Sequence, residues 1–192
     1  NAVFTNFPGY VGGFNSYFDW MWTKSVALAQ GPVSEIEWGA YGTPPLDPTP
    51  SVEFAGAQFP LYSFSPLGGT RDWLKAAIQL SQAAIDVATE SFYDERLAEE
   101  LAKAAQRGVA VRMIVDKKVC EKSELVKYAL DNGIQLRWMN GRSSRGSMHH
   151  KYAVFDGKLL ATGSFNWSSN AELNSFENVL FTSDNGFLAG YS

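Results

Sequence analysis

Residues 147–181 read SMHHKYAVFDGKLLATGSFNWSSNAELNSFENVLF, and they hold both histidines of the chain. Tyr152 to Phe155 and Lys158 to Thr162 are short apolar runs joined by Asp156-Gly157, a pair that favours the mirror-image turn of a tight hairpin. Asn178 to Thr182 supplies a further strand. Successive strand side chains face opposite ways, so His149 and Lys151 share one face while His150 takes the other. The turn Gly163-Ser164-Phe165-Asn166 then brings a hydroxyl and a carboxamide to the end of the neighbouring strand. Imidazole, ammonium, hydroxyl and amide converging on one point suit a tetrahedral oxyanion, above all a phosphate. Glu177 opens the last strand, where its carboxylate can accept a hydrogen bond from the imidazole and raise its basicity. An imidazole so held is a competent nucleophile toward phosphorus.

Upstream, helices and strands alternate from Leu67 onward. Thr70 is expected to cap a helix running to about Gln82, with Trp73, Leu74, Ala77 and Ile78 near helical spacing, and Ala84 to Ser91 is an apolar strand. Asp94 opens a second helix with Leu97, Leu101, Ala104 and Ala105 on one face, and Gly108 stands where a left-handed terminator belongs. Val109 to Asp116 is the next strand. Ser123 caps a third helix that Gly133 ends, and Ile134 to Met139 follows as a strand. This order predicts an α/β fold with a mixed, mostly parallel sheet flanked by helices on both faces.

The N-terminal third differs. Ser16 to Leu28 carries Tyr17, Phe18, Trp20, Met21 and Trp22, which suits a buried amphipathic helix, and the proline-rich run from Gly31 to Pro50 reads as a linker. Glu53 to Phe64 has room for one or two short strands. Residues 1–15, NAVFTNFPGYVGGFN, align without gaps with residues 178–192, NVLFTSDNGFLAGYS, at an offset of 177. The expectation is a repeat: residues 1–28 are the closing strand and helix of a preceding unit, 29–52 a Pro/Gly-rich linker, and 53–192 a unit lacking its terminal helix.

A composition 45% hydrophobic and 19% charged is that of an ordinary globular protein, and no apolar run reaches the roughly 18 residues that span a bilayer. The single cysteine, Cys120, excludes an internal disulfide framework and reads as a buried thiol. A net charge of −4 conceals segregation: residues 101–158 hold 12 Lys/Arg against 5 Asp/Glu. This basic block ends in Arg142 and Arg145, just before the histidines, where it would steer an anionic substrate. Acidic flanks around a basic centre suit a periplasmic or secreted protein, and an intracellular one equally.

The full spacing is HxKxxxxD, from His149 through Lys151 to Asp156, followed after six residues by GSxN at Gly163, Ser164 and Asn166. This resembles the HKD motif of the phospholipase D superfamily. The wording MHHKYAVFDGKLLATGSFNW and the downstream ENVLF look most like the branch holding the bacterial endonuclease Nuc and the mitochondrial nuclease Zucchini. The resemblance covers about residues 59–192. It implies a phosphodiesterase in which His149 forms a phosphohistidine while Lys151 and Asn166 bind phosphoryl oxygens. Ser164 would add a hydrogen bond, Glu177 would orient His149, and Asp156 would help hold the site. It implies no metal and no cofactor, and two adjacent histidines without clustered carboxylates or thiols give no convincing ligand set. The mechanism needs two HKD motifs, and this chain has one. A homodimer mate or the other half of a tandem protein would supply the second. Single-stranded DNA or RNA is the expected substrate, with Trp167 offering a face for base stacking unless it is core. A phospholipid substrate, or a non-catalytic phosphate-binding module, are the alternatives.

Overall fold

The computed structural model describes residues 3–26, 39 and 41–191. Helix α1 (Pro8–Lys24) is followed in the chain by β1 (Val52–Phe54), β2 (Ala57–Phe59) and β3 (Tyr62–Ser65). Then come α2 (Thr70–Leu80), β4 (Ala84–Thr89), β5 (Phe92–Tyr93), α3 (Glu95–Gln106), β6 (Ala110–Asp116), α4 (Lys117–Cys120), α5 (Glu124–Asp131) and β7 (Gln135–Met139). The chain continues with β8 (Lys151–Phe155), β9 (Leu159–Gly163), β10 (Trp167–Ser168), α6 (Ser169–Leu173), β11 (Glu177–Thr182) and α7 (Asn185–Tyr191). The quoted stretch supplies the hairpin and its return strand as expected.

Seven strands form one mixed sheet in the order β3-β11-β9-β8-β4-β6-β7. Only β4–β6 and β6–β7 pair parallel; the other four neighbouring pairs are antiparallel. The expectation of a mostly parallel sheet is corrected on this point. Helical crossovers impose parallel pairing on β4, β6 and β7, whereas the β8–β9 hairpin inserts beside β4 and reverses direction at each step.

Residues opposite one another across the ladders share a face. Val87, Met113, Ala153, Ala161 and Phe181 form one such row and pack with Leu74 and Ile78 of α2, Leu97 and Leu101 of α3, and Val126 and Ala129 of α5. Each fully buried Leu, Ile or Phe here contributes about 1.5–3 kcal/mol. On the other face, α7 covers Val154 and Leu160 through Leu188, and α1 covers Tyr62 and Phe64 through Tyr17. Helices therefore lie on both faces.

The N-terminal helix starts eight residues before the expected Ser16, and its expected final residues Ala27 and Leu28 lie outside the described residues, as do residues 29–38 and 40 of the expected 29–52 linker. Glycines at 9, 12 and 13 disfavour a helix in isolation. Packing overrides them: a Cβ at Gly13 would fall 2.0 Å from the Tyr62 ring, and the Tyr10 hydroxyl donates to the Phe181 carbonyl at 2.7 Å. Helices α1 and α7 begin at Pro8 and Asn185, separated by the offset of the sequence repeat. Two caps were expected from side chains that do other work. Gly69 is the N-cap of α2, and Thr70 Oγ1 shares a 2.8 Å hydrogen bond with Ser63 Oγ; Ser123 precedes α5 but its hydroxyl donates to the Phe92 carbonyl. Asp94 does cap α3, accepting from the Leu97 N–H at 3.1 Å.

Candidate active site

The mixed sheet brings the C-terminal ends of β4 and β9 and the N-terminal ends of β8 and β11 to one edge. This is the edge at which open α/β sheets place their ligands. There a cavity of about 770 Å³ is lined by His149, Lys151, Ser164, Asn166, Glu177 and Asn178, with a wall from Val3, Tyr10, Val11 and Phe14 of the N-terminal segment. The His149 side chain is 72% exposed and the Lys151 side chain 5%, so the imidazole is open to a substrate and the ammonium is held from behind.

Both groups meet on a residue that the sequence reading passed over. Glu90, just past β4, places Oε2 at 2.7 Å from Lys151 Nζ and 3.2 Å from His149 Nε2. Ser147 Oγ donates to the other oxygen at 3.0 Å. Burial pushes the Glu90 carboxyl up, but hydrogen bonds from Lys151 and Ser147 and the charges of Lys151 and His149 outweigh it, holding the group below the usual carboxylate range. The available signal was an acidic residue at the end of an apolar strand, Ala84–Thr89, on the ligand-bearing edge.

The hydroxyl and carboxamide are fixed by backbone. Ser164 Oγ accepts from the Asn178 N–H at 3.0 Å and from Asn178 Nδ2 at 3.2 Å, leaving its own proton to donate. Asn166 Oδ1 accepts from the Ser91 N–H at 3.2 Å, so the NH₂ group is the arm left for an anion. A Cβ at Gly163 would lie 2.1 Å from the Asn178 carbonyl oxygen, which is why glycine stands between the strand and the serine. Asn178, the second residue of ENVLF, is thus a further site residue.

Glu177 lines the same cavity, yet among the described residues it makes no hydrogen bond to His149; the carboxylate on the imidazole is that of Glu90. Glu177 instead lies near Tyr17, whose hydroxyl burial pushes up to about 12 with help from the Glu177 charge. His150 packs edge-on against Tyr152, ring centroids 5.9 Å apart, and meets Glu90 through its backbone carbonyl, which accepts from the Glu90 N–H at 3.0 Å. Trp167 is 2% exposed and pairs with Phe92 across β10 and β5, so its assignment to base stacking is corrected: the ring belongs to the core. Arg142 and Arg145 are exposed on the loop between β7 and β8, outside the His149 cavity. Arg142 lines a neighbouring hollow with Lys117 and Lys118, where Lys118 Nζ donates to the Ser144 carbonyl. Cys120 is buried, its thiol pushed up by burial to about 11, which makes it unreactive. Among the described residues no group of three or more His, Cys, Asp or Glu is placed to hold a metal ion.

Asp156 stands at the far end of β8. Its carboxylate accepts from the N–H groups of Gln82, Ala83 and Ala84 at 2.8–2.9 Å, pinning the hairpin turn to the start of β4. Burial raises this carboxyl, but the three backbone donors prevail and lower it. A depressed folded pKa stabilises the protein above the unfolded value of about 3.9, and that contribution is lost as pH falls through the folded pKa. Asp156→Ala is expected to cost on the order of 2–3 kcal/mol. Urea melts at pH 7 and pH 3 check this: the gap between wild type and variant should shrink at the lower pH.

The sequence matches the family described as "Cardiolipin synthase, PLD-like domain" over residues 74–192. The chain therefore belongs to the phospholipase D-like family. It is 34% identical over 119 residues to the human mitochondrial cardiolipin hydrolase, a match covering 60% of this chain and 45% of that protein. The chain thus spans about half the length of the curated relative it matches. Among solved structures, Nuc, a phospholipase D family member from Salmonella typhimurium, superposes with a TM-score of 0.61 at 26% identity, covering 68% of this chain and 86% of that one. NucT from Helicobacter pylori gives 0.60 at 26%, covering 68% and 89%.

Proposed function

We propose that this domain hydrolyses phosphodiesters of single-stranded nucleic acid without a metal ion, through a phosphohistidine on His149. The observation that carries this reading is the convergence of His149 Nε2 and Lys151 Nζ in a cavity that Ser164 and Asn166 also line. Nε2 attacks phosphorus, the bond to the leaving oxygen breaks, and that oxygen takes a proton from the histidine of a second HKD motif. Water then attacks the phosphohistidine, the same second histidine accepts its proton, and the P–N bond breaks. Lys151 and the Asn166 amide stabilise the charge gathering on the phosphoryl oxygens. The second motif comes from a homodimer mate or from the other half of a tandem protein. Lys117, Lys118, Arg142 and Arg145 give a basic approach along which a strand is held by its backbone.

One observation favours a phospholipid instead: the apolar wall of Val11 and Phe14 beside His149, continued by the exposed Phe7, Phe18 and Trp22. A labelled single-stranded DNA oligonucleotide and cardiolipin vesicles, each incubated with the protein in excess EDTA, separate the two. Cleaved oligonucleotide with intact vesicles is the expected result, and the reverse would establish the lipid reading. Specific activity rising with chain concentration, alongside a doubled mass in solution, would assign the second histidine to a second copy.

A further inference from the structure

The point on which His149 and Lys151 converge is itself negatively charged. Glu90 Oε2 touches both His149 Nε2 and Lys151 Nζ, the two nitrogens that must meet on a phosphoryl group if the domain is a phosphodiesterase. A carboxylate serving only to orient the ring would sit on Nδ1, leaving Nε2 to the substrate. Glu90 sits on the nitrogen that shares a partner with Lys151. It is also firmly placed: Ser147 holds Oε1, the Glu90 N–H donates to the His150 carbonyl at 3.0 Å, and its carbonyl accepts from Cys120 Sγ at 3.2 Å. The side chain is 16% exposed, so water screens it weakly.

Any phosphate bound to His149 and Lys151 therefore lies beside a fixed negative charge. The repulsion grows with each unit of charge on the ligand. A phosphodiester carries one; a phosphomonoester, with a second pKa near 6, carries about two at pH 8. We propose that Glu90 is a specificity-determining residue that selects singly charged phosphodiesters against doubly charged phosphomonoesters and inorganic phosphate. The proposal rests on the phosphate-site reading above and adds a consequence to it. Hydrolysis of a diester leaves a monoester end, so the charge that admits the substrate also drives out the product.

The test is a titration of inorganic phosphate and of dimethyl phosphate at pH 8, followed through the His149 ring resonances by NMR, on the wild type, Glu90→Gln and Ser147→Ala. Glu90→Gln is expected to tighten inorganic phosphate about tenfold or more while moving dimethyl phosphate about threefold or less. Ser147→Ala keeps the charge but releases one carboxylate oxygen, and should shift the ratio in the same direction by a smaller factor; should Glu90→Gln fail to fold by circular dichroism, this ratio decides. An unchanged ratio, or both anions weakened alike, would overturn the filter and leave Glu90 a structural anchor. If neither anion perturbs His149 in any of the proteins, the phosphate-site reading fails, and the filter with it.

Discussion

His149→Ala is expected to lower the rate of diester cleavage by roughly 10³-fold or more, since among the described residues His149 is the one imidazole that lines the cavity. Excess EDTA should leave the wild-type rate unchanged. His150→Ala is the internal control: it removes a neighbouring imidazole, but one that packs edge-on against Tyr152. Single-turnover kinetics on the labelled oligonucleotide, with acid-labile phosphate trapped on the protein, checks both statements. Trapped phosphate on the wild type and on His150→Ala, and none on His149→Ala, is the expected pattern. Equal loss in the two variants would mean that the pair acts through local structure, and the nucleophile would have to be sought elsewhere.

Asp94→Ala is expected to be the most destabilising single change. Its Oδ2 lies 2.6 Å from Arg71 Nε, and the two side chains are 1% and 8% exposed, while Oδ1 caps α3. Removing the carboxylate takes the ion-pair partner from a buried guanidinium and leaves it the nearby Glu172 charge, at a cost of up to about 3–5 kcal/mol, with the lost cap adding about 1 kcal/mol. Against a typical total of about 5–15 kcal/mol, this is a large share. The urea midpoint should fall sharply at an unchanged slope. Asp94→Leu combined with Arg71→Met should recover much of the loss, because a well-packed apolar pair replaces a buried ion pair at little net cost. A double variant as unstable as the single one would show the damage to lie in packing rather than in the charge left behind.

The part of the site that could be read from sequence is the part that is local. His149, Lys151, Ser164 and Asn166 sit on one hairpin and its exit turn, where strand alternation and turn chemistry fix direction. Glu90 and Asn178 escaped because their roles depend on strand neighbours: Glu90 reaches Lys151 only because β4 lies beside β8, 61 residues on. Trp167 shows the opposite error. Its position next to Asn166 suggested the site, but β10 pairs with β5 and turns the ring inward. The same limit applies to the fold. Helix and strand order from Leu67 onward follows from periodicity, whereas the antiparallel half of the sheet and the helix through Gly12 and Gly13 are decided by contacts distant in the chain.

The pin at Asp156 gives the HxKxxxxD spacing a mechanical meaning. At one end of β8 the turn is tied to Gln82, Ala83 and Ala84; at the other, Lys151 lies opposite Thr89. The interval between the lysine and the aspartate is therefore a ruler laid against β4, and its graduation is the length of that strand. One residue added or removed between them would either lift the aspartate off its three donors or rotate the lysine to the opposite side of the sheet. The aspartate does not line the His149 cavity, yet it sets where the lysine stands.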